Sequence, residues 1–225
     1  MATPIVVALQ ALSLEGKKDE RVVKWLKHYS SEQSILIVGD GDLSFSRSLA
    51  TAFGSGENLV ATSLDSYANL ISMYGKAESN VTKLKRMGAT VLHGVDVKNM
   101  KSHIDLKFKR FDRIVFNFPH AGFIGKENQV SMITAHQLLV KRFFRNASHL
   151  LHPDGEIHVS HKTGQPYDRW EIEELASEFS LVMFKTVEFR REDYPGYNQK
   201  RGDGDRCDEE FPLHNGCTFK FCLEH

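Results

Sequence analysis

The sequence predicts an α/β fold: a mostly parallel seven-stranded sheet with helices on both faces and an antiparallel last strand. Three observations carry that expectation. Apolar runs of strand length alternate with segments whose apolar residues recur at helical spacing, the rhythm of right-handed crossovers in a parallel sheet. Glycine, proline and aspartate stand where the runs end. The final two runs break the rhythm, because the loop between them has no helical periodicity, so the last strand is expected to return antiparallel beside the one before it.

The first run, "ILIVG" at 35 to 39, reads as a buried strand ended by Gly39 and Gly41. Behind it Phe45, Leu49, Ala52 and Phe53 recur at helical spacing, with Ser44 placed as a cap and Gly54 and Gly56 as the stop. "LVATSLD" (59 to 65) is a second strand ending in Asp65, and "ATVLHGVDV" (89 to 97) a third carrying Asp96, with a lysine-rich helical stretch between them. "FDRIVFNFP" (111 to 119) is a fourth strand that Pro119 ends, and residues 130 to 151 make a helix stopped by Pro153 and Gly155. "GEIHVSH" (155 to 161), a helix over 168 to 178, "LVMFKTVEF" (181 to 189) and "CTFKFC" (217 to 222) complete the pattern.

At 225 residues, 41% hydrophobic and 26% charged, the chain is long and apolar enough for one full core plus a short appendage. Residues 1 to 30 read as a leader with an amphipathic helix around Val22, Val23, Leu26 and Tyr29, residues 31 to 222 as the main domain, and Leu223, Glu224 and His225 as a tag remnant. Lysine plus arginine equals aspartate plus glutamate at 29 each, so no global field draws polyanions and any nucleic-acid contact must rest on local patches. The absence of an 18-residue apolar run and of a signal-like start gives an intracellular reading without a membrane partner. Three cysteines fit a reducing compartment, where the sequons at Asn80 and Asn146 are incidental.

Gly39-x-Gly41-x-x-Ser44, after a strand and before a helix, lets backbone approach a ligand closely. A pyrophosphate wants positive potential there, whereas Asp40 and Asp42 make the turn negative and suit a cationic centre such as the sulfonium and ammonium of S-adenosylmethionine. Asp65, at the end of the second strand, is placed to accept both ribose hydroxyls, and Asp96, at the end of the third, to meet an adenine edge. Aspartate also serves as a cap or turn where strands end, and that alternative stays open. "NFPH" (117 to 120) resembles the Asn-Pro-Pro-Tyr type motif of methyltransferases acting on planar nitrogens. There Asn117 and the Phe118 carbonyl orient the target nitrogen, Pro119 shapes the turn and His120 stacks on the base or takes a proton.

"WLKHYSS" (25 to 31), "ILIVGDGDLSFS" (35 to 46), "FNFPHAG" (116 to 122) and "YPGY" (194 to 197) together resemble the Rossmann-like domain of eukaryotic large-subunit rRNA (uridine-N3) methyltransferases, over roughly residues 22 to 222. The resemblance implies a class I methyltransferase fold, S-adenosyl-L-methionine as cofactor, a uridine of RNA as substrate, and nuclear or nucleolar residence, with the cytoplasm as the alternative. It maps the glycine-rich loop to Gly39, Asp40, Gly41, Asp42 and Ser44, the post-strand motif to Asn117 through Gly122, and the distal motif to Tyr194, Pro195, Gly196 and Tyr197.

The long loop interleaves aromatics with Arg190, Arg191, Lys200 and Arg201, so Tyr194, Tyr197, Lys200 and Arg201 are candidates for stacking on a base and gripping phosphates. Cys207, His214, Cys217 and Cys222 include legitimate zinc ligands, but Cys217 and Cys222 point to opposite faces of a strand, and no metal is expected. Two other functions share these features. A nucleotide-dependent oxidoreductase is disfavoured by Ser44 where a third glycine belongs and by the lack of a Tyr-x-x-x-Lys pair. A noncatalytic relative that binds S-adenosylmethionine or RNA is separated only by a turnover measurement.

Overall fold

The computed structural model describes residues 22–122, 125–202, 204–213 and 215–224. The chain opens with a short antiparallel hairpin of β1 (Trp25–Leu26) and β2 (Tyr29–Ser30), turned at Lys27 with φ of 55°. This corrects the helix expected around Val22, Val23, Leu26 and Tyr29. Tyr29 is almost fully buried against Phe45 and His158, and Val22 and Trp25 face solvent, so one buried tyrosine and not an apolar stripe sets the local conformation. The domain therefore reaches back before residue 31; residues 1–21 of the expected leader lie outside the described residues.

The sheet strands are β3 (Ile35–Val38), β4 (Leu59–Ser63), β5 (Thr90–His93), β6 (Phe111–Asn117), β7 (Leu151–Lys162), β8 (Leu181–Glu188) and β9 (Gly216–Leu223). Their order is β5-β4-β3-β6-β7-β9-β8. The first five are parallel to their neighbours, and β9 wedges antiparallel between β7 and β8. All four residues of β3 are buried, as a strand covered on both faces requires. Leu223 pairs with Leu181, and the Glu224 amide donates to the Ser180 carbonyl at 2.9 Å, so these two residues, read as part of a tag remnant, extend the edge of the sheet; His225 lies outside the described residues.

On one face, α1 (Ser44–Phe53) and α3 (Ala77–Arg86) bury Phe45, Leu49, Val81 and Leu84. On the other, α4 (Val130–Leu150) turns Val140, Phe143, Phe144 and Ala147 onto Ile157 and Phe221. Each such aliphatic or aromatic side chain contributes about 1.5–3 kcal/mol on leaving water. A short α2 (Tyr67–Met73) is capped by the Ser66 hydroxyl. The helix expected over 168 to 178 is instead a 3-10 turn at Tyr167–Trp170 and a short α5 (Ile172–Ser177), broken at Glu171 with φ of 52°.

A buried polar cluster ties the hairpin to the sheet. His158 Nδ1 lies 3.0 Å from the Tyr29 hydroxyl, and its Nε2 lies 2.7 Å from Glu156 Oε2. Burial pushes His158 down to about 4, His28 to about 3 and His161 to about 4. Burial would raise Glu156, but the His158 hydrogen bond and the Arg113 and Lys220 charges bring it to about 2. All four groups bind protons more tightly in the unfolded chain, so each withdraws stability on acidification: the histidines below 6.5, Glu156 below 4.5. Asp40, raised by burial to about 7, opposes them over part of that window. The thermal midpoint should therefore fall as pH drops from about 6.5 to 4, and His158→Gln should flatten the slope. A midpoint that holds level across that window in differential scanning calorimetry would show that these histidines are not held neutral by the fold.

Candidate active site

The turn from β3 into α1 carries the sharpest backbone constraint near the sheet's carboxyl edge. Gly39 and Gly41 take φ of +59° and +38°, and a Cβ at Gly39 would stand 3.1 Å from the Phe116 ring. Leu43 follows in the left-handed region with φ of 65° and hands the chain to the helix.

Both acidic side chains of this turn point inward. Asp40, 9% exposed, accepts the Ser46 amide at 2.8 Å, the Phe45 amide at 3.3 Å and the Ser46 hydroxyl. Asp42, 2% exposed, accepts the Ser44 amide at 3.0 Å. The two carboxylates thus serve the orphan amides of the first turn of α1, the cap expected of Ser44. Of the four carboxylate oxygens of the turn, only Asp42 Oδ2 is left buried without a partner among the described residues. Burial raises both carboxyls above their ordinary range. Asn80 locks the arrangement by donating to the Asp42 carbonyl at 2.7 Å while accepting from Arg47 at 2.8 Å. Its buried amide is a structural clasp, which no local motif in the sequence signalled.

A cavity of about 710 Å³ opens above this turn, within the range of small-molecule sites. Gly39, Asp40, Gly41 and Asp42 form its floor, Asp65 and Asp96 one wall, and Asn117, Phe118 and His120 another. Tyr197, Lys200 and Arg201 line it from the long loop. Ser44, Pro119 and Tyr194 do not line it. Asp96 also accepts the Lys98 amide at 2.9 Å, as a turn-forming aspartate does.

The long loop is a strap drawn across the cavity. The Ser44 hydroxyl accepts the Asn198 amide at 2.9 Å, Cys207 Sγ donates to the Met73 carbonyl at 3.4 Å, and Asp208 accepts the Gly75 amide at 3.2 Å. Tyr194, offered as a stacking face for a base, is buried in the core against Phe45 and stacked on Phe189. The Lys200 ammonium, offered to phosphate, sits 2.6 Å from Asp208 Oδ1. Arg190 and Arg191 pair with Glu188 and Glu210. Acidic residues of and beside the loop thus pair with its Arg190, Arg191 and Lys200. Arg201 lines the cavity as well, as do two basic residues from elsewhere, Arg142 and Lys98, the latter 3.5 Å from Asp96 Oδ2.

At the end of β6, Asn117 Oδ1 accepts the Ser160 hydroxyl at 2.7 Å. Phe118 follows with φ of 49°, a left-handed non-glycine position of the kind that gathers at functional sites. His120 Nδ1 accepts the Gly122 amide at 3.1 Å, and its ring rests 4.5 Å from that of His136. His136 in turn stacks on Trp170 at 4.2 Å and accepts the Ala121 amide at 3.1 Å. Burial lowers the pKa of His136 and His161, so these two rings favour the neutral form, and His161 also packs 4.1 Å from the Trp170 ring. Among the described residues no group of three His, Cys, Asp or Glu is arranged to hold a metal, and no helix is long and apolar enough to cross a membrane. His214 of the considered zinc set lies outside the described residues.

Comparison with known proteins finds a match over residues 36–201 to the family described as rRNA (uridine-N3-)-methyltransferase BTM5-like. Heavy metal-associated isoprenylated plant protein 41 of Arabidopsis thaliana is 53% identical over 95% of this chain, which spans 41% of that relative's length. A second Arabidopsis thaliana protein, At4g26485, is 46% identical over 88% of this chain and 96% of its own. The 25S rRNA (uridine(2634)-N(3))-methyltransferase of Saccharomyces cerevisiae is 26% identical over 79% of this chain and 68% of its own. Among solved structures, NSun6 from Pyrococcus horikoshii superposes with a TM-score of 0.55 over 86% of this chain and 48% of its own, at 15% identity, a likeness of fold.

Gly39→Ala tests the turn. The left-handed φ and the 3.1 Å approach to Phe116 should together destabilise the protein, with about 1–2 kcal/mol from the backbone alone, read by chemical denaturation. A variant as stable as the parent would mean that the turn relaxes without strain.

Proposed function

The chain belongs to the rRNA (uridine-N3-)-methyltransferase BTM5-like family, and on that premise we propose that it is an S-adenosylmethionine-dependent methyltransferase acting on N3 of a uridine in large-subunit rRNA. The observation that carries this reading is the convergence on one cavity of the glycine turn, Asp65, Asp96 and the Asn117–His120 segment, from the carboxyl ends of four adjacent parallel strands. In open α/β sheets ligands bind at that edge, where the direction of strand succession reverses. A large-subunit rRNA substrate assigns the protein to the nucleus or nucleolus.

The residues present fit the cofactor. Gly39 and Gly41 leave backbone bare for the methionine part, and the unpartnered, buried Asp42 Oδ2 is an acceptor suited to its ammonium. Asp65 would accept the ribose hydroxyls and Asp96 would meet the adenine, both residues lining the cavity. When bound, S-adenosylmethionine supplies a methyl made electrophilic by its sulfonium.

What this chain contributes is alignment and exclusion of water. Asn117 and the Phe118 carbonyl hold the plane of the base, and the ring of His120, backed by His136, closes one side. The strap clasped at Ser44 keeps solvent from the glycine turn. Holding two reactants in line accounts for most of the acceleration that a direct displacement needs. Arg142, Lys98 and Arg201 at the cavity give a chain without net charge its local attraction for a phosphate backbone.

The decisive experiment is transfer of tritiated methyl to in vitro transcribed large-subunit rRNA, with the product nucleoside identified by mass spectrometry. 3-Methyluridine is the expected product. Binding of the cofactor without transfer to any RNA would instead favour a noncatalytic module. Asp65→Ala should weaken S-adenosylhomocysteine binding by about 1.5–3 kcal/mol in calorimetry, the value of charge-assisted hydrogen bonds, and unchanged affinity would remove Asp65 from the site. Asn117→Ala should leave that affinity intact and lower turnover; if it unfolds the protein, its bond to Ser160 is structural.

A further inference from the structure

The cavity contains two side-chain amides that the protein leaves unused. Gln199, on the strap, is 4% exposed and lines the cavity, yet neither its Nε2 nor its Oε1 has a partner among the described residues. Asn117 lines the same cavity with Oδ1 engaged by Ser160 and Nδ2 buried and unpartnered. Folded proteins satisfy nearly all buried polar atoms, so two orphaned amides in one cavity mark places where a ligand completes the bonding.

Both line this one cavity, Gln199 from a strap that is anchored on either side of it. Tyr197 packs on Phe189 at 6.0 Å, and Phe189 meets Phe118, the neighbour of Asn117, at 5.0 Å. Lys200 Cβ lies 3.9 Å from where a Cβ on Gly41 would stand. Gln199 falls between these anchors, on the stretch of strap that runs from the Asn117 side to the glycine turn.

The chemistry of the pair selects the ligand. With its oxygen held by Ser160, Asn117 offers the cavity only N–H, which complements a carbonyl and opposes an amino group. Uracil flanks N3 with two carbonyls, O2 and O4. Its N3 carries no free in-plane electron pair until the N3–H proton leaves, and the charge then spreads onto both oxygens.

We propose that Gln199 Nε2 and Asn117 Nδ2 grip the two carbonyl oxygens of the target uridine, reading it as a keto base and stabilising the N3 anion. This rests on the uridine reading given above. In the step so assisted, the N3–H bond breaks and its proton passes to solvent. The electron pair left on N3 forms the new N–CH3 bond, and the S–CH3 bond breaks with its pair remaining on sulfur. Cytosine and adenine would turn an amino group toward one of the donors and be refused.

The test uses Gln199→Leu and the isosteric Gln199→Glu in the full chain. Gln199→Leu removes two unsatisfied buried atoms, so its folding is expected to hold, whereas Gln199→Glu buries an unpaired carboxyl; circular dichroism checks the fold of both. For Gln199→Leu, affinity for S-adenosylhomocysteine should stay within twofold, while turnover on in vitro transcribed large-subunit rRNA falls at least tenfold at pH 7. That deficit should shrink as pH rises toward 9.5, because solvent then removes the N3 proton without help. Gln199→Glu should be worse than Gln199→Leu, since a carboxylate repels the anion. A deficit that is the same at every pH, or a matching loss of S-adenosylhomocysteine affinity, would overturn the assignment to the base. If the wild-type protein methylates uridine and Gln199→Leu does so equally well, this inference alone fails. If the wild type methylates cytidine, adenosine or no RNA, the uridine reading fails and this inference with it.

Discussion

Two buried carboxylates at the start of one helix determine the shape of everything around the cavity. Asp40 and Asp42 accept the first amides of α1, which fixes the glycine turn beneath the cavity and leaves Ser44 free to clasp the strap. Without them the first turn of α1 would carry unsatisfied amides inside the protein, a cost on the order of 1–3 kcal/mol for each group. The constraint propagates outward: Asn80 holds Asp42, Arg47 holds Asn80, and α1 is thereby tied to α3. The turn is therefore shaped by helix capping, and of its four carboxylate oxygens capping leaves over one buried without a partner among the described residues, Asp42 Oδ2.

The net charge of zero takes on meaning beside the strap. Cations and anions in the loop after β8 are matched pair by pair, Arg190 with Glu188, Arg191 with Glu210, Lys200 with Asp208 and Arg206 with Glu209. Exposed pairs of this sort add little stability singly. Lys200, with its side chain only 9% exposed, differs: its ammonium and the Asp208 bond to the Gly75 amide fasten the strap to the loop after α2. The loop closes over the cavity, which Arg142 and Lys98 line from other elements.

Most of the sheet was legible because each strand has an apolar run near a glycine, proline or aspartate; the wholly apolar "ILIV" admits little else. The site's floor and walls were legible because ligand chemistry sits at strand ends, where Asp65, Asp96 and Asn117 stand. What escaped the sequence depended on distant partners. Val22, Val23, Leu26 and Tyr29 have helical spacing, but the burial of Tyr29 against His158, 129 residues away, overrides it. Tyr194 and Tyr197 have the same composition signal, yet one is core and the other lines the cavity, a difference set by where Phe189 packs. Gln199 carries no motif at all, and only the enclosure of its amide makes it visible.

The wedge of β9 between β7 and β8 has a consequence for how the molecule comes into being. Strand β8 bonds to no other strand of the sheet, so until residues 216–223 have been synthesised it has nothing to pair with and β7 presents a bare edge. The nascent domain must pass through a stage in which two strand flanks stand open to stray partners, the condition under which chains stick to one another. One segment, β9, closes both flanks in the folded sheet.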